Sequence, residues 1–210
     1  MKQLHAISTG NQEISEFLEK MKQIHMHLDY IHLRERGWTA QDYLRVIEKL
    51  HKMGVKLNKI IINDRVDVAI VTKVGGVQLP SHSIDVTKVK HHFSTIRIGC
   101  SVHSVEEAIQ REEDGADYLL YGHIFSTKSK ANVAPRGLKS LRNVVRNVKI
   151  PVIAIGGITP QNVKSVIDVG ATGIAAMTGI FLAKDAKRTV IEYRKFLDAG
   201  NGGNLDEITS

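Results

Sequence analysis

Short runs of β-branched and other apolar residues alternate with stretches of helical periodicity along almost the whole chain. The runs fall at Leu4–Ile7, Tyr30–Leu33, Lys59–Ile62, Gly76–Leu79, Ile96–Gly99, Tyr118–Tyr121, Val152–Ile155 and Gly173–Ala176. Each is nearly continuous in apolar character, the pattern of parallel strands covered on both faces. Between them, Ile14, Phe17, Leu18, Met21 and Ile24 recur at spacings of three and four, as do Tyr43, Leu44, Ile47 and Leu50. That spacing puts one apolar stripe on each of two helices. Further helices are predicted over Ser104–Glu113, Leu138–Val148, Pro160–Val169 and Ala183–Leu197.

Local chemistry supports these boundaries. Thr39-Ala40-Gln41-Asp42 and Ser104-Val105-Glu106-Glu107 read as capping boxes, in which the acidic side chain returns to the cap N–H. Thr159-Pro160 places a hydroxyl at the cap and proline at the first helical position. Val74-Gly75-Gly76, Asp114-Gly115-Ala116 and Val169-Gly170-Ala171 echo one another, each predicting a helix that ends at glycine just before a buried strand. Eight strand–helix units predict an α/β fold, a single (β/α)8 barrel over residues 1–198, with a glycine-rich tail at 199–210 expected to be disordered. The competing architecture is an open doubly wound sheet, which would carry a glycine-rich loop after its first strand. Ser8-Thr9-Gly10-Asn11 is not such a loop.

A chain of 210 residues can bury ~70% of its unfolded surface without staples. Its one cysteine, Cys100, excludes an internal disulfide framework and a cysteine-rich zinc module. No apolar run reaches the ~18 residues of a membrane helix, and the N-terminus lacks the pattern of a secretory signal. The expected setting is the cytoplasm, with no membrane partner. Net charge is +7, but its distribution matters more. Between Asp117 and Asp168 there is no acidic residue, while Lys128, Lys130, Arg136, Lys139, Arg142, Arg146, Lys149 and Lys164 lie in that stretch. A local positive field of this kind suits a small anion. Aromatic content of 5% is too low for a platform that stacks on single strands, so nucleic acid is not an expected partner. Whether identical copies associate into a homo-oligomer stays open.

In a barrel, chemistry collects at the C-terminal ends of the strands, and phosphate sits after the seventh and eighth. Those ends read Ile155-Gly156-Gly157-Ile158-Thr159 and Ala176-Met177-Thr178-Gly179-Ile180. Glycines let backbone N–H groups approach an anion, and the second loop opens a helix whose N-terminus favours negative charge. Gly156, Gly157, Thr178 and Gly179 are therefore the predicted phosphate contacts. A side chain at Gly157 is expected to intrude on the anion.

Six segments then fall in register: Leu4-His5-Ala6-Ile7, Ile31-His32-Leu33-Arg34-Glu35-Arg36, Ile61 to Ala69, Gly76-Val77-Gln78-Leu79-Pro80, Tyr121 to Lys130, and Pro151 to Ile158. Together they resemble the thiamin phosphate synthase superfamily of (β/α)8 barrels over nearly the whole chain. The resemblance implies one of two activities. The synthases join a pyrimidine pyrophosphate to a thiazole phosphate with magnesium. Their pattern has glutamine and lysine where this chain has His32 and Arg36. It has a second magnesium-binding aspartate where this chain reads Leu79-Pro80-Ser81-His82-Ser83, and only Asp64 is retained. Where the synthases have proline after the sixth strand's glycine, this chain has His123. These departures are similar to the thiazole tautomerase branch, which aromatises a carboxythiazole phosphate without metal or cofactor. The expected activity is that of a tautomerase on a phosphorylated thiazole; a true synthase is the runner-up, and a non-catalytic regulatory relative the third possibility.

The resemblance implies that His123 is the acid–base residue, and the chemistry asks for such a group. A proton must leave the ring carbon bearing the carboxylate and another must reach the exocyclic carbon. Imidazole serves both steps in turn. Arg34 and Arg36, ending the second strand, are candidates for holding the substrate carboxylate, with ion pairs to Glu35 or Asp64 as the competing reading. Asn63, Ser101 and Lys130 match synthase positions that touch substrate. His32 is a weaker site candidate. Cys100 reads as a packed thiol, and His25 and His27, two apart on a helix, face different ways and make no metal pair.

Overall fold

A computed structural model of the chain describes residues 2–127 and 130–199. Eight strands, β1 (Gln3–Ile7), β2 (Tyr30–Leu33), β3 (Ile60–Asn63), β4 (Gly76–Leu79), β5 (Ile98–Val102), β6 (Tyr118–Gly122), β7 (Val152–Ile155) and β8 (Gly173–Ala176), close in sequence order into a barrel. Every neighbouring pair is parallel, β8 with β1 included. The helices α1 (Ile14–Ile24), α2 (Ala40–Lys52), α3 (Val66–Thr72), α4 (Val86–His92), α5 (Val105–Glu113), α6 (Gly137–Asn147), α7 (Val163–Asp168), α8 (Thr178–Phe181) and α9 (Ala186–Ala199) connect them. Residues 200–210, most of the predicted tail, lie outside the described residues; α9 itself runs through Ala199, one residue past the expected boundary. No helix among the described residues is long and apolar enough to cross a membrane.

Strands β2, β4, β7 and β8 have the predicted bounds, and the departures have local causes. Strand β5 starts and ends later than expected, because Ile96 closes a turn onto Phe93 O while Ser101 continues the strand as an inward-facing position. The helix expected over Pro160–Val169 begins as a 3₁₀ turn, Pro160–Asn162, before α7. Helices α3 and α4 have seven residues each, too few for a 3.6-residue period to show in the pattern. The Thr39 capping box forms as predicted. At Ser104 only half of it does: Ser104 Oγ accepts from Glu107 N–H, but the Glu107 carboxylate reaches past the cap to His103 N–H at 2.6 Å. Of the three echoed turns, the first also differs, since Lys73 (φ 52°) and not a glycine takes the left-handed cap of α3.

Side-chain alternation divides the apolar residues into two cores. Leu4, Ala6, Ile31, Leu33, Ile60 and Ile62 face outward onto Phe17, Met21, Leu50 and other helix residues. Ile7, Tyr118, Leu120, Ile153 and Ala175 face inward and fill the barrel beneath its mouth. Lower in the interior the filling turns polar. His5 Nδ1 and His32 Nε2 lie 2.9 Å apart, and His5 Nε2 is 3.0 Å from Gln3 Oε1. The Arg97 guanidinium stacks 4.5 Å from the Tyr30 ring and 4.7 Å from that of Tyr118. Burial, and then the neighbouring Arg97 charge, hold His32 down to about 3, and His5 is lowered by burial and by His32. Both imidazoles are therefore neutral at ordinary pH and act as buried hydrogen-bonding groups.

Candidate active site

The C-terminal ends of the strands open into a cavity of about 830 Å³. All the residues predicted to bind or transform substrate line it: His123, Gly156, Gly157, Thr178, Gly179, Arg34, Arg36, Asn63, Ser101 and Lys130. The two walls differ in kind. Strands β2 to β5 present polar and charged side chains, and β6 to β8 present apolar ones, Leu120, Ile155 and Met177, with loop backbone at Gly156, Gly157 and Gly179 above them.

On the side-chain wall, Gln78 Nε2 donates to Ser101 Oγ at 3.1 Å, and His32 lies at the floor. Half-buried Arg34 donates through its backbone N–H to Ser8 Oγ at 2.8 Å and reaches Thr9 O at 3.4 Å. Arg36 is exposed at the rim, as is Lys130 across from it on the loop after β6. The ion pairs that compete with substrate for the two arginines do not form among the described residues. The Glu35 carboxylate accepts instead from Gly10 N–H at 3.1 Å and Gln12 N–H at 3.0 Å, clamping the loop after β1. Asp64 faces His82, 3.9 Å away. Sequence reasoning missed His82 and Arg65 at this rim, and also His103. The signal for His103 was present: it lies two residues beyond Ser101 and so shares its inward face.

On the backbone wall, the N–H groups of Gly156, Gly157, Thr178 and Gly179 donate to no partner among the described residues, leaving them for an anion. The glycines are also required by packing. Gly157 has φ +65°, and a Cβ there would sit 2.6 Å from Phe125 O and 2.5 Å from Ser126 O. Gly156 has φ +99°, and its Cβ would lie 2.2 Å from that of His123. Both glycines let the loop after β6 settle onto the loop after β7, where Phe125 N–H donates to Gly156 O at 3.0 Å. A Gly157 side chain would therefore strike that loop's carbonyls.

His123 stands where the two walls meet. It is buried, it follows β6 through a cis peptide with Gly122, and its Nε2 lies 3.1 Å from Val133 O. A carbonyl only accepts, so Nε2 carries a proton, and in the neutral ring the lone pair is on Nδ1. Among the described residues nothing bonds to Nδ1. Cys100, by contrast, is buried on the helix side, where desolvation pushes its thiol up to about 12; it has no part in the site.

Donor chemistry for a metal is thin. Among the described residues Asp64 is the one carboxylate lining the cavity, its neighbours after β4 are Pro80, Ser81 and His82, and no group of three or more His, Cys, Asp or Glu converges. A hard divalent cation asks for more anionic oxygen than this.

Residues 4–180 match the family of thiamine monophosphate synthase. The chain is 41% identical over 169 residues to a thiamine-phosphate synthase of Pyrococcus furiosus, covering 80% of this chain and 82% of that one. It is 35% identical over 170 residues to that of Clostridium acetobutylicum, covering 79% and 81%. Among solved structures, a thiamine phosphate pyrophosphorylase from Pyrococcus furiosus superposes with a TM-score of 0.82 at 30% identity, over 95% of this chain and 97% of that one.

Proposed function

The chain belongs to the thiamine monophosphate synthase family, and from that premise we propose that it is a thiazole tautomerase of thiamin biosynthesis. It converts the non-aromatic alkylidene carboxythiazole ethyl phosphate to the aromatic carboxythiazole phosphate. The observation that carries this reading is the His123 imidazole. Its tautomer is set by Val133 O, and it lines one cavity with the backbone N–H groups of Gly156, Gly157, Thr178 and Gly179, which donate to no partner among the described residues.

Those donors take the phosphate of the substrate, with the one-turn helix α8 behind Thr178 and Gly179. Arg34 and Arg36 take the carboxylate on the opposite wall, and Asn63, Ser101 and Lys130 surround the ring. Held between the walls, the ring carbon bearing the carboxylate gives its proton to His123 Nδ1. The electron pair of that C–H bond moves into the ring, and the exocyclic double bond opens toward its outer carbon. The imidazolium then returns a proton to that carbon, so that one C–H bond breaks, one forms and no co-reactant is used. Val133 O stabilises the imidazolium through Nε2–H, the orienting role that a carboxylate plays in a catalytic triad. Aromatisation supplies the driving force, and the site supplies position and charge.

A second reading, thiamine phosphate synthase, is favoured by the names of the relatives and by the retained Asn63, Asp64 and Ser101. That reaction requires magnesium to hold a pyrophosphate, and the residues around Asp64 do not fit the ion. The test is to give the protein the unsaturated carboxythiazole phosphate with a chelator present and to follow aromatisation by ultraviolet absorbance. We expect turnover at enzymatic rates, with deuterium from heavy water entering the exocyclic carbon. A protein that leaves this tautomer untouched is not a tautomerase.

A further inference from the structure

The carbonyl of Gly122, the residue before His123, accepts two side-chain hydrogen bonds. His103 Nδ1 reaches it at 3.1 Å from the end of β5, and Arg136 Nε reaches it at 3.1 Å from the cap of α6. The backbone N–H of Arg136 donates to His123 O at 2.9 Å, and that of Gly137 donates to Ile124 O at 3.1 Å. Residues 122–124 are thus held from β5 on one side and from the start of α6 on the other. The β7 side leaves no slack either, because a Cβ on Gly122 would lie 2.1 Å from Ile155 O.

The choice of donors is informative. Arg136 is half-buried and forms no ion pair among the described residues. A guanidinium that spends its side-chain hydrogen bond on a neutral carbonyl contributes little to stability for its desolvation. Its evident yield is geometric. His103, which lines the cavity, spends its Nδ1 proton on the same oxygen.

We propose that His103 and Arg136 are positioning residues for the proton carrier. They clamp the Gly122–His123 peptide so that the imidazole stays on Val133 O and Nδ1 stays turned toward the substrate. This rests on the tautomerase reading above. A ring displaced by about 1 Å loses on the order of 100-fold in rate without any loss of grip on the ligand.

The test compares His103→Ala, His103→Asn, Arg136→Ala and Arg136→Lys with wild type, using the aromatisation rate, binding of the aromatic carboxythiazole phosphate, and the ¹⁵N spectrum of the imidazoles. The asparagine amide N–H stands where histidine Nδ1–H does but cannot titrate. We expect both alanine variants to lose about 10–100-fold in kcat, with KM and product binding within about threefold. Their His123 signals should show mixed tautomers where wild type shows Nε2–H alone. His103→Asn should recover most of the rate, and Arg136→Lys, which has one point charge and no planar fork, should recover little. Unchanged kcat and a single His123 tautomer in both alanine variants would overturn the clamp. So would a rise in KM with kcat intact, which would make these residues ligand contacts. A His103→Asn variant as inactive as His103→Ala would overturn it too, by making His103 a proton carrier itself. If wild type does not aromatise the substrate, the functional reading fails while the ¹⁵N spectra still decide the clamp.

Discussion

The two walls of the cavity do different work with different materials. The β2–β5 wall is built from side chains, Arg34, Asn63, Gln78 and Ser101 among them, each on an inward strand position or just beyond it. The rim of the β6–β8 wall is built from backbone set above the apolar Leu120, Ile155 and Met177, and there glycines at positive φ bring one loop's carbonyls against the next. A side-chain wall can be re-aimed by single substitutions without disturbing the barrel. A backbone wall cannot, because its donors exist only while the loops keep their shape. Common phosphate groups suit the second wall, and the part of the ligand that distinguishes one reaction from another suits the first. His123 sits at the seam, on the loop that rests against Gly156 and Gly157.

Removing the seam residue should have the largest effect. His123→Ala and His123→Asn should lose about 10²–10⁴-fold in kcat, the usual worth of a placed acid–base group, while KM changes by less than about tenfold because both walls remain. Near-full activity in His123→Ala would move the proton to another group. His32 would be a poor heir, since burial and Arg97 keep it from protonating.

The walls themselves should then respond differently. Arg34→Ala should raise KM about 10–100-fold, the value of a charge-assisted bond, and leave the melting temperature near that of wild type. Arg36→Ala should do less, being at the exposed rim. Gly157→Val should raise KM and also destabilise the fold, because its Cβ meets the carbonyls of Phe125 and Ser126. Steady-state kinetics beside thermal unfolding separates the cases. A Gly157→Val protein with wild-type stability would mean that the second wall is as tolerant as the first.

A smaller effect lies below both walls, at the His5–His32 pair. The folded pKa of His32 falls from 6.5 to about 3, so protons bind the unfolded chain more readily, and stability present above pH 6.5 is lost as pH falls toward 3. One such imidazole contributes about 2 kcal/mol of loss by pH 5. Urea unfolding at pH 7.5 and pH 5 checks this, and equal stability at the two values would contradict it.

Much of this was legible in the sequence because buried parallel strands and glycine turns are written in local patterns. The barrel, its strand order and the two glycine loops come directly from continuous apolar runs and from Gly156-Gly157 and Thr178-Gly179. What the pattern could not show was long-range contact. The role of Gly157 depends on Phe125 and Ser126, and the reach of Glu107 to His103 depends on side-chain conformation. The support of Gly122 by Arg136, fourteen residues away in the chain, has no local signature. Arg136 was visible only as one basic residue among the eight of an acid-free stretch.

The most direct test of the central claim sets the two family reactions side by side on wild-type protein. One assay offers the unsaturated carboxythiazole phosphate with a chelator. The other offers the pyrimidine pyrophosphate and the aromatic thiazole phosphate with magnesium, and kcat/KM is measured for each. We expect efficient aromatisation in the first and no condensation above background in the second. Condensation at enzymatic rates with the unsaturated thiazole left unchanged would contradict the assignment of His123 as a proton carrier and make the protein a synthase.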